Sequence, residues 1–157
     1  MTSKDAEQKM KKILFLCTGN YYRSRYAEIL FNWKAKNCDL KWHAESRGLD
    51  PDPRNPGPLS CDTMAALRKL GISCDEYLRF PLAVTDDDFQ KSRHIVAVKE
   101  AEHRPVIERN FPQWLPRVEF WHIDDLDCCG PDEAIPHLDR EVAALVERLT
   151  RRGELET

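Results

Sequence analysis

Cys17 and Arg23 stand six residues apart, directly after the apolar run Ile13 to Leu16. Such a run reads as a buried parallel strand, and Tyr26, Ile29, Leu30 and Trp33 then repeat at helical spacing from about Arg23 to Asn37. The segment between them is a tight loop joining a strand's carboxyl end to a helix N-terminus, where open α/β sheets bind ligands. Backbone N–H groups of Thr18 to Ser24, bending into that helix, converge on an anion, and the helix N-terminus adds positive potential. The Arg23 guanidinium supplies a fork for two oxygens of a phosphate-like group. The same field favours a thiolate at Cys17, a nucleophile beneath a bound oxyanion. A plainer account, a buried strand cysteine beside an exposed helix-start arginine, stays open on residue types alone. The loop is no nucleotide-binding Walker loop, because the Gly-Lys-Ser/Thr ending is missing.

The elements around this loop follow a strand–helix alternation. Trp42 to Glu45 is a weak strand, and Asp50 to Pro58, with four prolines, is a surface loop that can be neither helix nor central strand. Ser60 to Leu70 reads as a helix with Met64 and Leu67 inward and Gly71 as its stop. Thr85 to Asp88 caps a short helix before a second clean strand, His94 to Val98. A helix over about Glu100 to Asn110 comes next, then Phe111 to Pro116 as loop and Val118 to Ile123 as the last strand. Ile135, Leu138, Val142, Leu145 and Leu149 mark a closing amphipathic helix ending near Arg152. This alternation predicts an α/β fold with a parallel sheet covered on both faces. We expect a single domain over residues 1–157, with its core at about 12–150.

The chain has 157 residues, 41% hydrophobic and 32% charged, which excludes a mostly disordered or fibrous polypeptide. A formal charge of -3 gives no electrostatic case for nucleic-acid or membrane partners. The polar Met1 to Lys12 and the short apolar run after it fit neither a secretory leader nor a membrane span, so a cytoplasmic location is expected. Six cysteines (Cys17, Cys38, Cys61, Cys74, Cys128, Cys129) lie at irregular spacings with no CxxC pair, so reduced thiols are expected. His122, Cys128, Cys129 and His137 match no standard zinc spacing. His43, His94 and His103 read as surface or strand-end histidines.

Phe15-Leu16-Cys17-Thr18-Gly19-Asn20-Tyr21-Tyr22-Arg23-Ser24, continuing to Ala27-Glu28, resembles the signature of the low-molecular-weight protein tyrosine phosphatases and the related thioredoxin-coupled arsenate reductases. The likeness runs at lower strength through Ser46-Arg47-Gly48 to the last helix, over roughly Lys12 to Leu149. It implies a three-layer flavodoxin-like fold with a four-stranded parallel sheet, and phosphomonoester hydrolysis through a phosphocysteine intermediate without cofactor or metal. Cys17 then matches the nucleophile, Arg23 the phosphate-binding arginine, and Ser24 the hydroxyl that donates to the thiolate. Asn20 matches the residue that fixes the strained loop, and Thr18, Gly19, Tyr21 and Tyr22 complete the phosphate cradle. Asp125 best matches the general acid, with Asp124 next. The implied partner is a phosphorylated protein or a small aryl phosphate.

The chain departs from the family pattern at several points. Tyr22 replaces a second cysteine, Arg25 a proline, and Leu126 the proline after the acid. Without the neighbouring cysteine, Cys17 is open to irreversible over-oxidation unless another thiol is near. Tyr21, Tyr22, Trp121 and His122 are the candidates for a replacement aromatic wall. The two redox cysteines of the arsenate reductases are replaced by Lys99 and Val106, although Thr18-Gly19-Asn20 leans toward that branch. Cys128 and Cys129 are the candidates for a substitute relay. An oxyanion-binding protein without turnover and an arsenate reductase are therefore the alternatives to the phosphatase.

Overall fold

The computed structural model describes residues 10–55, 57–125 and 131–156. Strands β1 (Lys11–Cys17), β2 (Trp42–Gly48), β3 (His94–Ala97) and β4 (Val118–Phe120) form one parallel sheet in the order β2-β1-β3-β4. Helices α1 (Arg23–Asn37), α2 (Cys61–Lys69), α3 (Asp86–Lys91), α4 (Glu100–Asn110) and α5 (Pro131–Glu156) flank it. The expected three-layer α/β architecture is the one observed.

The alternation of β1 explains why its sequence is apolar from Ile13 to Cys17. Ile13, Phe15 and Cys17 enter the core shared with α1 and α5, whereas Leu14 and Leu16 enter a second core with Phe89 of α3 and Ile107 of α4. A strand covered on both faces cannot show a polar alternation. The closing stripe Leu138, Val142, Leu145 and Leu149 lies in the first core, each side chain at most 2% exposed. Full burial of each such side chain contributes about 1.5–3 kcal/mol.

Several boundaries differ from the sequence expectation. Strand β2 continues past Glu45 to Gly48, because Ser46 to Gly48 pair with Phe15 to Cys17 in the ladder whatever their polarity. Phe111 to Pro116 is not open loop. A 3₁₀ turn spans Pro112–Arg117 and brings Trp114 flat against Phe89, with ring centroids 5.6 Å apart and planes at 6°. The last strand ends at Phe120 instead of Ile123. Trp121 and Ile123 still donate backbone bonds to Ala97 and Val98, at 2.9 and 2.8 Å, while His122 bridges antiparallel to Lys99. Helix α5 runs on from Arg152 to Glu156. The short capped helix is as expected: Thr85 and Asp88 form a reciprocal capping box.

The order places β2 on one side of β1 and β3 on the other, so the chain's crossovers diverge at the carboxyl ends of β1 and β3. That divergence opens a crevice, and the Cys17 loop and the start of α4 face each other across it. Among the described residues, no helix is long and apolar enough to cross a membrane.

Candidate active site

The loop after β1 wraps the Cys17 sulfur in donors. Ser24 Oγ lies 2.9 Å from Cys17 Sγ, and the Asn20 backbone N–H donates to the same sulfur at 3.2 Å. Cys17 is 3% exposed, yet it lines a cavity of about 500 Å³ together with Thr18, Gly19, Tyr21, Tyr22 and Arg23. Asn20 turns the chain with φ 52°, a left-handed conformation that asparagine tolerates better than most residues.

A buried polar network carries the loop from beneath. Asn20 Nδ2 donates to Ser24 Oγ and Ser46 Oγ, both at 3.0 Å, and its Oδ1 accepts from Arg79 at 3.0 Å and from the Leu82 amide at 3.1 Å. The Ser46 hydroxyl in turn donates to Glu28 Oε1 at 2.6 Å. Burial pushes the Glu28 carboxyl upward, against the Ser46 bond and the nearby Arg79 and Arg25. Gly48 permits the close packing here. A Cβ on it would stand 2.8 Å from the Thr18 carbonyl oxygen and 3.0 Å from the Asn20 Cβ.

Arg25, the replacement for the family's proline, is completely buried. Its NH1 donates to the carbonyls of Pro58 and Arg79 at 3.0 and 3.1 Å, its NH2 donates to the carbonyl of Tyr77, and Nε lies 3.6 Å from Glu28. Burial and the neighbouring Arg79 bring its pKa down to about 10, still charged at neutral pH. One side chain thus ties α1 to the segment before α2 and to the segment carrying Arg79.

Arg23 is 2% exposed and sits between two carboxylates, Glu102 at 2.8 Å and Asp125 at 3.5 Å, while NH1 donates to the Ile123 carbonyl at 3.0 Å. Burial works against its charge, but Cys17, Glu102 and Asp125 more than offset this and raise its pKa. Glu102 was not among the residues expected from sequence. It accepts from Arg23, from the Thr18 hydroxyl and from His103 Nε2 at 2.9 Å. These donors, His103 foremost, hold its carboxyl far below the usual carboxylate range in spite of partial burial. His103 is no surface or strand-end histidine. It is buried in α4, its Nδ1 accepts from the Lys99 amide at 3.1 Å, and burial lowers its pKa, so Nε2 carries the single proton toward Glu102. Charge and spacing on α4 gave no sign of this, since Glu102 and His103 lie among polar helix residues.

The two acid candidates separate cleanly. Asp124 Oδ1 pairs with Lys99 Nζ at 2.8 Å, and that bond lowers its pKa, whereas Asp125 lines the cavity next to Arg23. Of the four candidate aromatic walls, Tyr21 and Tyr22 line the cavity. Trp121 is instead 3% exposed in the core beside Phe15, and His122 is exposed outside the lining. Cys61 opens to the same cavity as Cys17, a second thiol that the sequence did not single out. Leu126, Cys128 and Cys129 lie outside the described residues, and with them the proposed substitute relay. No metal-binding cluster occurs among the described residues.

The family model for low molecular weight phosphotyrosine protein phosphatase matches residues 12–152. The chain belongs to that family. This places it among the cysteine-based phosphotyrosine phosphatases. A Brevibacillus brevis arsenate reductase is 26% identical over 150 residues, 94% of this chain and 99% of that protein. A Bacillus licheniformis arsenate reductase is 36% identical over 66 residues, 42% of each chain. The crystal structure of YfkJ from Bacillus subtilis superposes with a TM-score of 0.80 at 22% identity, covering 91% of this chain and 96% of that one, a likeness of fold.

Proposed function

We propose that this protein hydrolyses phosphotyrosine, with Cys17 as nucleophile, Arg23 and the loop amides of Thr18 to Ser24 as the phosphate cradle, and Asp125 as general acid. The observation that carries this reading is the Cys17 sulfur at the cavity floor, with Ser24 Oγ 2.9 Å away and the Asn20 amide at 3.2 Å. In the first step Sγ attacks phosphorus and the P–O bond to the phenol breaks, with Asp125 giving its proton to the departing oxygen. Arg23 and the amides stabilise the equatorial oxygens in a site that needs no reorganisation. In the second step Asp125 takes a proton from water, which attacks phosphorus and releases inorganic phosphate and the Cys17 thiolate. The Ser24 hydroxyl eases both the formation and the departure of that thiolate. Glu102 is excluded as the acid, because three donors hold it ionised. Hydrolysis of p-nitrophenyl phosphate from pH 5 to 8 by wild type, Cys17→Ser and Asp125→Asn tests this. We expect loss by about 10⁴-fold in Cys17→Ser and about 10²-fold in Asp125→Asn. An inactive wild type, or full activity in Cys17→Ser, would overturn it.

Cys61 in the same cavity supports a second reading, arsenate reduction. Cys17 would displace one protonated oxygen of arsenate, which leaves as water, to form an S–As bond, and the Cys61 thiolate would attack the Cys17 sulfur. The S–As electron pair would leave with arsenite, and an external dithiol would reduce the disulfide. Arsenate-dependent thiol oxidation that survives in Cys61→Ser would remove Cys61 from such a relay.

A further inference from the structure

The walls of the Cys17 cavity are acidic. Asp50, Asp52, Asp62 and Asp125 line it, and Arg23 is the one Lys or Arg among its described lining residues. Backbone contacts tie the segments that carry two of these carboxylates to the phosphate loop at separate points. The Asp50 amide donates to the Thr18 carbonyl at 2.9 Å. Asp62 sits in the first turn of α2, whose preceding Ser60 amide donates to the Tyr21 carbonyl at 3.1 Å. Asp52 faces Arg54 at 3.1 Å and Asp125 faces Arg23 at 3.5 Å, whereas among the described residues no ion pair engages Asp50 or Asp62.

This rim works against a small dianion. A phosphate entering the mouth passes carboxylates within about one Debye length, roughly 8 Å at physiological ionic strength, before the loop amides and Arg23 reach it. The charge on the remainder of the substrate then decides how much of that repulsion is cancelled. Asp50 and Asp62 are exposed and stand on separate segments, so a compact aryl phosphate seated on Cys17 cannot neutralise both. A polypeptide that continues on either side of the phosphorylated residue can.

Resting on the phosphatase reading above, we infer that the rim selects phosphotyrosine within a basic segment of a partner protein, with Asp50 and Asp62 facing lysine or arginine on its two flanks. Acidic flanks are rejected by the same carboxylates.

The test uses two phosphotyrosine peptides of equal length, one with lysine and one with glutamate at the two positions on each side. kcat/KM is measured with the full-length protein at about 20 mM and about 500 mM salt. We expect the lysine peptide to be preferred about tenfold or more at low salt, with most of the preference gone at high salt. In the double variant Asp50→Asn, Asp62→Asn the low-salt preference should fall to about threefold or less. Equal rates for the two peptides, a glutamate preference, or a preference untouched by the double variant would overturn the inference. If wild type hydrolyses neither peptide nor p-nitrophenyl phosphate, the phosphatase reading fails separately. Calorimetric Kd values of the Cys17→Ser variant for the two peptides then decide the rim by themselves, with the same lysine preference supporting it and equal affinity refuting it.

Discussion

The underside and the mouth of the Cys17 loop are built on opposite principles. Beneath the loop, Asn20, Ser24, Glu28, Ser46 and Arg25 are all under 8% exposed and joined by hydrogen bonds or an ion pair. At the mouth, Asp50 and Asp62 are exposed and held mainly through their backbones. A buried polar group left without a partner costs about 1–3 kcal/mol, so each member of the lower network constrains the others. An exposed carboxylate carries no such obligation and can change with little effect on folding. The contrast teaches that loop geometry is fixed by the interior, while the choice of what enters is left to side chains that the fold does not need.

Arg25 gives the largest expected effect and the most direct way to break this contrast. Replacing it with methionine leaves three backbone carbonyls without their donor and Glu28 with Arg79 as its remaining neighbouring arginine at 3.8 Å. We expect a loss of about 3 kcal/mol, or roughly 10 °C in Tm for a chain of this size. Arg25→Lys should recover part of it, since an ammonium keeps the charge but cannot fork to three acceptors. An unchanged Tm in Arg25→Met, by calorimetry or circular dichroism, would show that the underside is not interdependent.

Asn20 sharpens the comparison by separating backbone from side chain. Asn20→Ala forces alanine into φ 52° and deletes bonds to Ser24, Ser46, Arg79 and Leu82, for about 2–3 kcal/mol in total. Asn20→Gly deletes the same bonds but adopts that φ freely, so it should be about 1 kcal/mol more stable than the alanine variant. Urea midpoints with equal slopes would measure the difference. If the two variants unfold together, the left-handed turn carries no cost of its own.

What the sequence disclosed follows the same division. The strand, loop and helix around Cys17 were legible because an apolar run and a 3.6-residue period report burial directly. Arg25 read only as a departure, since the first half of α1 is buried on every side, from Arg23 to Phe31, and no polar stripe marks which face a charge occupies. Glu102 and His103 were illegible for another reason. Their partners Thr18 and Arg23 are brought to them by the crossover at the β1/β3 crevice, and a helix pattern does not encode what lies across a crevice. The early end of β4 belongs to the same class, because His122 leaves the ladder for a bridge to Lys99.

Glu102 lies on the boundary between the two regions, about a third exposed yet bonded to buried Arg23 and His103, and its variant should show the smallest effect. Glu102→Gln keeps one acceptor but removes the charge, for about 1 kcal/mol of stability at pH 7 after allowance for solvent screening. The sign of the pH dependence follows from both members of the pair. Glu102 is held far below the usual carboxylate range in the folded state, so its contribution is complete above about pH 5, begins to decline below the ordinary glutamate value near 4.3 and is lost only as the pH falls on through its much lower folded-state value. His103 is lowered by burial, so the unfolded chain takes up its proton first and stability again declines as pH falls through about 6.5. Wild type should therefore lose stability in two stages on acidification, and Glu102→Gln should lack most of the lower one. Urea unfolding at about pH 7, 5 and 3.5 reads this, with the gap between the two proteins constant from pH 7 to 5 and narrower at the lowest pH. A constant gap at all three values would mean that Glu102 acts by packing alone, and would move it from the mouth's electrostatics to the interior's.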